Sequence, residues 1–69
     1  MTIAEKLKTV RKIKRLSQED VAELLKTTQQ QYSKYETGVV EIPVHHILTL
    51  CRYYGISSDW LLGLKDTME

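Results

Sequence analysis

Apolar and polar positions follow one another in a helical rhythm from the start of the chain. Ile3, Leu7 and Val10 recur at steps of four and three, which places them on one face of a helix. Thr2 with Glu5 fits the T-x-x-E capping box, so a first helix is expected over about residues 3–14, with Ile13 and Leu16 carrying apolar surface into the following turn. Ser17 is a good N-cap for a second helix. Glu19 and Asp20 put carboxylates near its positive end, and Val21, Ala22, Leu24 and Leu25 supply its inner side. Ala22 is small enough for two helices to cross closely there. Lys26-Thr27 reads as a tight turn. Thr28 with Gln31 fits a second capping box, T-x-x-Q, opening a third helix over about 29–36 that Gly38 ends as a left-handed cap. Residues 37–42 form a loop. Pro43 starts a fourth helix at the first helical position, and Val44, Ile47, Leu48, Cys51 and Tyr54 form its apolar stripe. Gly55 stops it. Ser57 caps a short fifth helix with Trp60, Leu61, Leu62 and Leu64, and residues 65–69 are expected to fray. No stretch alternates as a strand would. The fold class expected is all-α: one compact five-helix domain over 1–69, with its core at about 3–63.

The segment from Ser17 to Gly38 carries the chemistry. Two short helices joined by a tight turn make the helix-turn-helix pattern. On the third helix Tyr32 and Tyr35 point one way, while Gln29, Gln30, Ser33 and Lys34 point the other. Glutamine amides can pair with adenine N6 and N7, and lysine can donate to guanine O6 and N7 in the DNA major groove. The N-terminus of the second helix favours an anion such as a phosphate, and Gln18 sits there. Thr28, Gln31 and Ser33 are expected as secondary or backbone DNA contacts.

Size and charge refine this picture. A chain of 69 residues buries only about 60% of the surface its unfolded form exposes, so it needs efficient packing or a partner. The net charge is +1, weak support for a polyanion partner taken alone. Residues 1–38 hold eight Lys/Arg against five Asp/Glu, whereas 39–69 hold two against four. The first half is therefore the electropositive one, with Lys12, Lys14 and Arg15 clustered at the end of the first helix. The lone Cys51 cannot form an internal disulfide and fits a small core position. His45, His46 and Cys51 have no recognisable metal spacing, and no nucleophile, base and orienting group come together as catalysis requires. No metal, cofactor or enzymatic role is therefore expected. With no leader and no apolar run near the ~20 residues that span a bilayer, the expected location is cytoplasmic and nucleoid-associated.

The runs SQEDVAELL, TTQQ, Tyr35-Glu36-Thr37-Gly38, the later Pro43 and GISSDWLLG at 55–63 resemble the Cro and repressor helix-turn-helix family of lambdoid phages, the XRE-type regulators, over roughly residues 3–63. The resemblance implies a lambda-repressor-like domain in which Gln18 holds a DNA phosphate and Gln29, Gln30 and Lys34 read bases. It implies a structural pair between Arg11 and Glu36, and dimer contacts in the 39–46 region and near Ser57 to Leu64. Three positions depart from the family pattern: Arg15 and Lys26 stand where glycine is common, and Tyr32 stands where Ile or Val is usual. The Tyr32 hydroxyl must then find a partner or reach solvent. The function expected is a sequence-specific double-stranded DNA-binding transcriptional regulator, a repressor acting as a homodimer on a near-palindromic operator. An antitoxin or other protein-interaction module with the same fold is the alternative.

Overall fold

The computed structural model describes all residues, 1–69, as five helices: α1 Ile3–Ile13, α2 Gln18–Leu24, α3 Gln29–Thr37, α4 Val44–Tyr54 and α5 Ser58–Leu61. α3 packs on both α2 and α1, and α5 bridges α1 and α4. The particle measures 30 × 22 × 20 Å. No helix is long and apolar enough to cross a membrane.

Side chains close most helix starts. Thr2 and Glu5 form the reciprocal capping box on α1, and Ser17 forms one with Asp20 on α2. Each carboxyl is held below its ordinary value by bonds to its cap residue, the backbone N–H bond first. The box expected on α3 is only half made. Thr28 Oγ1 accepts the Gln31 backbone N–H, but the N-cap backbone receives no bond from the Gln31 side chain. Pro43 is the N-cap of α4, not its first helical residue; its carbonyl accepts from the His46 and Ile47 N–H groups.

The core gathers Leu7 and Val10 of α1, Val21, Ala22 and Leu25 around α2, and Tyr32 and Tyr35 of α3. Ile47, Leu50, Cys51 and Tyr54 of α4 complete it with Trp60 and Leu61 of α5. Cys51 is buried and free, as expected. The α4 stripe is rotated from the expected one: Leu50 is fully buried, whereas Val44 and Leu48 are exposed. Ile3, Ile13, Leu62 and Leu64 also face outward, so apolar identity at a helix end did not mean burial. Ser57 N–H donates to the Met68 carbonyl, and Met68 packs partly buried against the core.

The non-glycine residues with positive φ are Arg15 (59°) and Lys26 (58°). Both stand just past a helix end, and both helices close by the same paired bonds. Arg15 and Leu16 N–H donate to the Lys12 and Arg11 carbonyls, and Lys26 and Thr27 N–H donate to those of Glu23 and Ala22. This is the Schellman closure, whose left-handed position normally holds glycine. The departures therefore keep the backbone that glycine would adopt, at a cost of about 1–2 kcal/mol each. Arg15→Gly and Lys26→Gly are each expected to stabilise the fold by up to ~1 kcal/mol, since the added freedom of the unfolded glycine chain offsets part of the relief. Thermal melts of the two variants check this.

Tyr32 is fully buried and its ring meets Tyr35 edge-on at 6.2 Å. Its hydroxyl does not reach solvent and makes no bond of good hydrogen-bond geometry, although it lies close enough to the Glu36 carboxylate to interact with it; the Tyr54 hydroxyl is likewise unsatisfied. The reason is depth: the whole side chain, hydroxyl included, is enclosed in the core. Burial first, and then the nearby Glu36 carboxylate, raises both phenols, with Tyr54 pushed up to about 12. An unsatisfied buried hydroxyl costs about 1–3 kcal/mol. Tyr54→Phe is therefore expected to raise stability by ~1 kcal/mol or more, read as a higher denaturation midpoint at unchanged slope.

Candidate nucleic-acid interface

The site is built on α3 and on the start of α2. Tyr32 and Tyr35 anchor α3 from beneath, while Gln29, Gln30 and Lys34 are exposed and Ser33 is half-buried beside them. Gln18, half-buried at the first turn of α2, joins these four. Together they line a shallow concavity of about 440 Å³ that has no apolar residue in its wall. Thr28 is exposed at the N-cap of α3 and Gln31 is half-buried; neither lines the concavity. The tail docks at Ser57 and leaves this surface open.

Behind the concavity lies a buried ion pair. Arg11 Nε donates to Glu36 Oε2 at 2.7 Å, and Arg11 Nη2 donates to Oε1 at 3.1 Å, a bidentate fork. Arg11 Nη1 also donates to the Leu16 carbonyl at 2.8 Å, tying the α1–α2 link to the same guanidinium. The side chains are 11% and 2% exposed. Burial alone would raise the Glu36 carboxyl, but the bonds it accepts, Arg11 foremost, outweigh burial and hold it below its ordinary value. The pair joins the helix carrying the exposed amides to α1 and fixes its pose.

Several contacts were missed by reading the chain alone. Gln18 Nε2 donates to Glu36 Oε1 at 3.2 Å, so the amide expected to face DNA is also tied to the buried carboxylate. Lys6 Nζ donates to the Trp60 carbonyl at 2.6 Å and lies 4.9 Å from the centre of its ring, clamping α5 to α1. His46 is half-buried against Tyr35, ring centres 6.0 Å apart, and burial with the neighbouring His45 lowers its pKa.

Chemically, the concavity offers amide donors and acceptors, a hydroxyl and one ammonium, set on the start of α2 and the exposed face of α3. That is a hydrogen-bonding surface, with no grouping for bond-making chemistry.

Comparison with known proteins places this geometry. Residues 4–67 match a helix-turn-helix domain family. The HTH-type transcriptional regulator YobD of Bacillus subtilis is 32% identical over 62 residues, covering 90% of this chain and 55% of YobD. The SPbeta prophage-derived HTH-type transcriptional regulator YonR of the same organism is 40% identical over 58 residues, covering 84% of this chain and 54% of YonR. The chain thus spans about half the length of the curated relatives it matches. The P22 c2 repressor, solved in complex with a synthetic operator, superposes with a TM-score of 0.83 at 20% identity, over 94% of this chain and 98% of that one. The fold expected from the resemblance is thereby established, and with the match running through both the α2–α3 unit and its supporting helices, this chain belongs to the helix-turn-helix domain family.

Proposed function

We propose that residues 1–69 form one DNA-binding unit that reads double-stranded DNA through the major groove and regulates transcription, acting as a repressor. The observation that carries this reading is the all-polar concavity of Gln18, Gln29, Gln30, Ser33 and Lys34 on a helix pinned from behind. In this reading Gln29, Gln30 and Lys34 contact base edges, and Gln18, Thr28, Ser33 and Gln31 contact the backbone or serve secondary roles. The P22 c2 repressor, which shares the fold, was solved with a synthetic operator, and YobD and YonR carry the name of transcriptional regulators.

One recognition helix reads only a few base pairs, each good bidentate contact giving about 1–3 kcal/mol of discrimination. A two-fold pair doubles that information. We therefore take the functional form as a homodimer on a near-palindromic operator, with half-sites ~34 Å apart. The particle's 30 Å length allows two copies to sit side by side at that spacing. Exposed apolar side chains support the pairing: Val39 (74% exposed) and Val44 (69%) in the α3–α4 region, and Leu64 (77%) after α5.

Binding to a random-sequence duplex across a salt series, followed by selection from a random duplex pool, tests the proposal. The expected result is a linear fall of log K with log salt and a two-fold symmetric consensus. Salt-insensitive binding with no consensus would refute it.

A further inference from the structure

Gln18 belongs to the polar concavity, yet its amide is not free. The bond from Nε2 reaches Glu36 Oε1 at 3.2 Å across 18 positions of sequence. A carboxylate only accepts, so the nitrogen end of the amide must face Glu36 and the carbonyl end must face away. A primary amide has two N–H donors, and Glu36 engages one of them. Glu36 is itself held by two nitrogens of Arg11 at 2.7 and 3.1 Å, with its side chain 2% exposed. Arg11 is anchored in turn on the Leu16 carbonyl, immediately before the cap of the helix that carries Gln18. The chain of bonds thus closes on itself, from α1 through α3 to the first turn of α2.

We propose that Glu36 is a positioning residue for DNA binding: its carboxylate holds the Gln18 amide so that the second N–H is offered to a backbone phosphate. This rests on the DNA-binding reading above and assigns Glu36 a role beyond pairing with Arg11. Arg11 balances the charge of Glu36, so the carboxylate can stand behind the contact without a net negative charge repelling the phosphate. A glutamine side chain has several rotatable bonds, and holding it in one geometry before binding removes an ordering cost from the encounter.

The test is a double-mutant cycle on DNA affinity, using a duplex that carries the selected consensus and a random-sequence duplex of equal length. Gln18→Ala is expected to weaken binding to both about 3–10-fold, the range of one hydrogen bond, with the salt slope unchanged because the amide is uncharged. Glu36→Gln in the wild-type background is expected to weaken binding about 2–5-fold, and in the Gln18→Ala background by less than ~1.5-fold, the coupling that a shared contact requires. Should Glu36→Gln fail to fold, Arg11→Gln/Glu36→Gln, which leaves no lone buried charge, replaces it in the cycle. In the free wild-type protein, the two side-chain N–H protons of Gln18 are expected to be well separated in the NMR spectrum and to converge in Glu36→Gln. Equal losses from the Glu36 change in both backgrounds would overturn the proposal and leave Glu36 a purely structural residue. Unaltered binding by Gln18→Ala would overturn it while sparing the DNA-binding reading, and failure of the wild type to bind either duplex would overturn both.

Discussion

Glu36→Ala is expected to destabilise the domain by about 3–5 kcal/mol, the cost of stranding the other member of a buried ion pair. At ~4–8 °C per kcal/mol for a domain of this size, that is a loss of ~12 °C or more in Tm. Three bonds end on this carboxylate, and its removal leaves the Arg11 guanidinium, 11% exposed, with only the Leu16 carbonyl. Replacing both partners by apolar residues, as in Arg11→Met/Glu36→Leu, is expected to recover most of the loss, because no charge is then left unpaired. Thermal melts of the single and paired variants check this; equal losses in both would contradict it.

The same pair gives the pH dependence its sign. Glu36 titrates lower in the fold than its ordinary value of 4.5. Its stabilisation is therefore complete above that value and is lost as pH falls through the folded pKa, where the unfolded chain binds more protons. His46, held below 6.5, starts a loss earlier, since the fold favours its neutral form as pH drops below 6.5. Denaturant midpoints between pH 7 and pH 3 should decline first through His46 and then through Glu36, with the lower step reduced in Arg11→Met/Glu36→Leu to what the capping carboxylates Glu5 and Asp20 contribute.

The second large effect is on DNA readout. Lys34→Ala is expected to relax the preference for guanine at the position its ammonium contacts. Gln29→Ala and Gln30→Ala are each expected to relax preference at one base-pair position by about 1–3 kcal/mol. All three side chains are exposed, so stability should stay within about 0.5 kcal/mol. Affinity and melting measured on the same samples separate the two effects.

The helix pattern was legible because capping residues and apolar spacing are local signals. Thr2, Ser17, Thr28 and Ser57 each cap where the sequence placed a start, and Gly38 and Gly55 end α3 and α4 in the left-handed conformation. Helix phase was less legible. On α4, Val44 and Leu48 were expected inside, but the helix turns Leu50 inward instead, a choice made by neighbours from distant parts of the chain. The polar face of α3 followed from spacing, with Tyr32 and Tyr35 buried opposite Gln29, Gln30 and Lys34. The links that tie this face to the rest did not. Gln18 to Glu36 and Lys6 to Trp60 span 18 and 54 positions, and no periodicity reports bonds between elements so far apart. The Met68 contact with Ser57 is equally invisible to local spacing, since it exists only once α5 is in place.

The most direct measurement is selection from a random duplex pool, run in parallel with the wild type and with Gln29→Ala/Gln30→Ala/Lys34→Ala. A two-fold symmetric consensus is expected for the wild type and is expected to be lost in the triple variant, with the fold intact. The same consensus from both proteins would show that the exposed face of α3 does not read the bases.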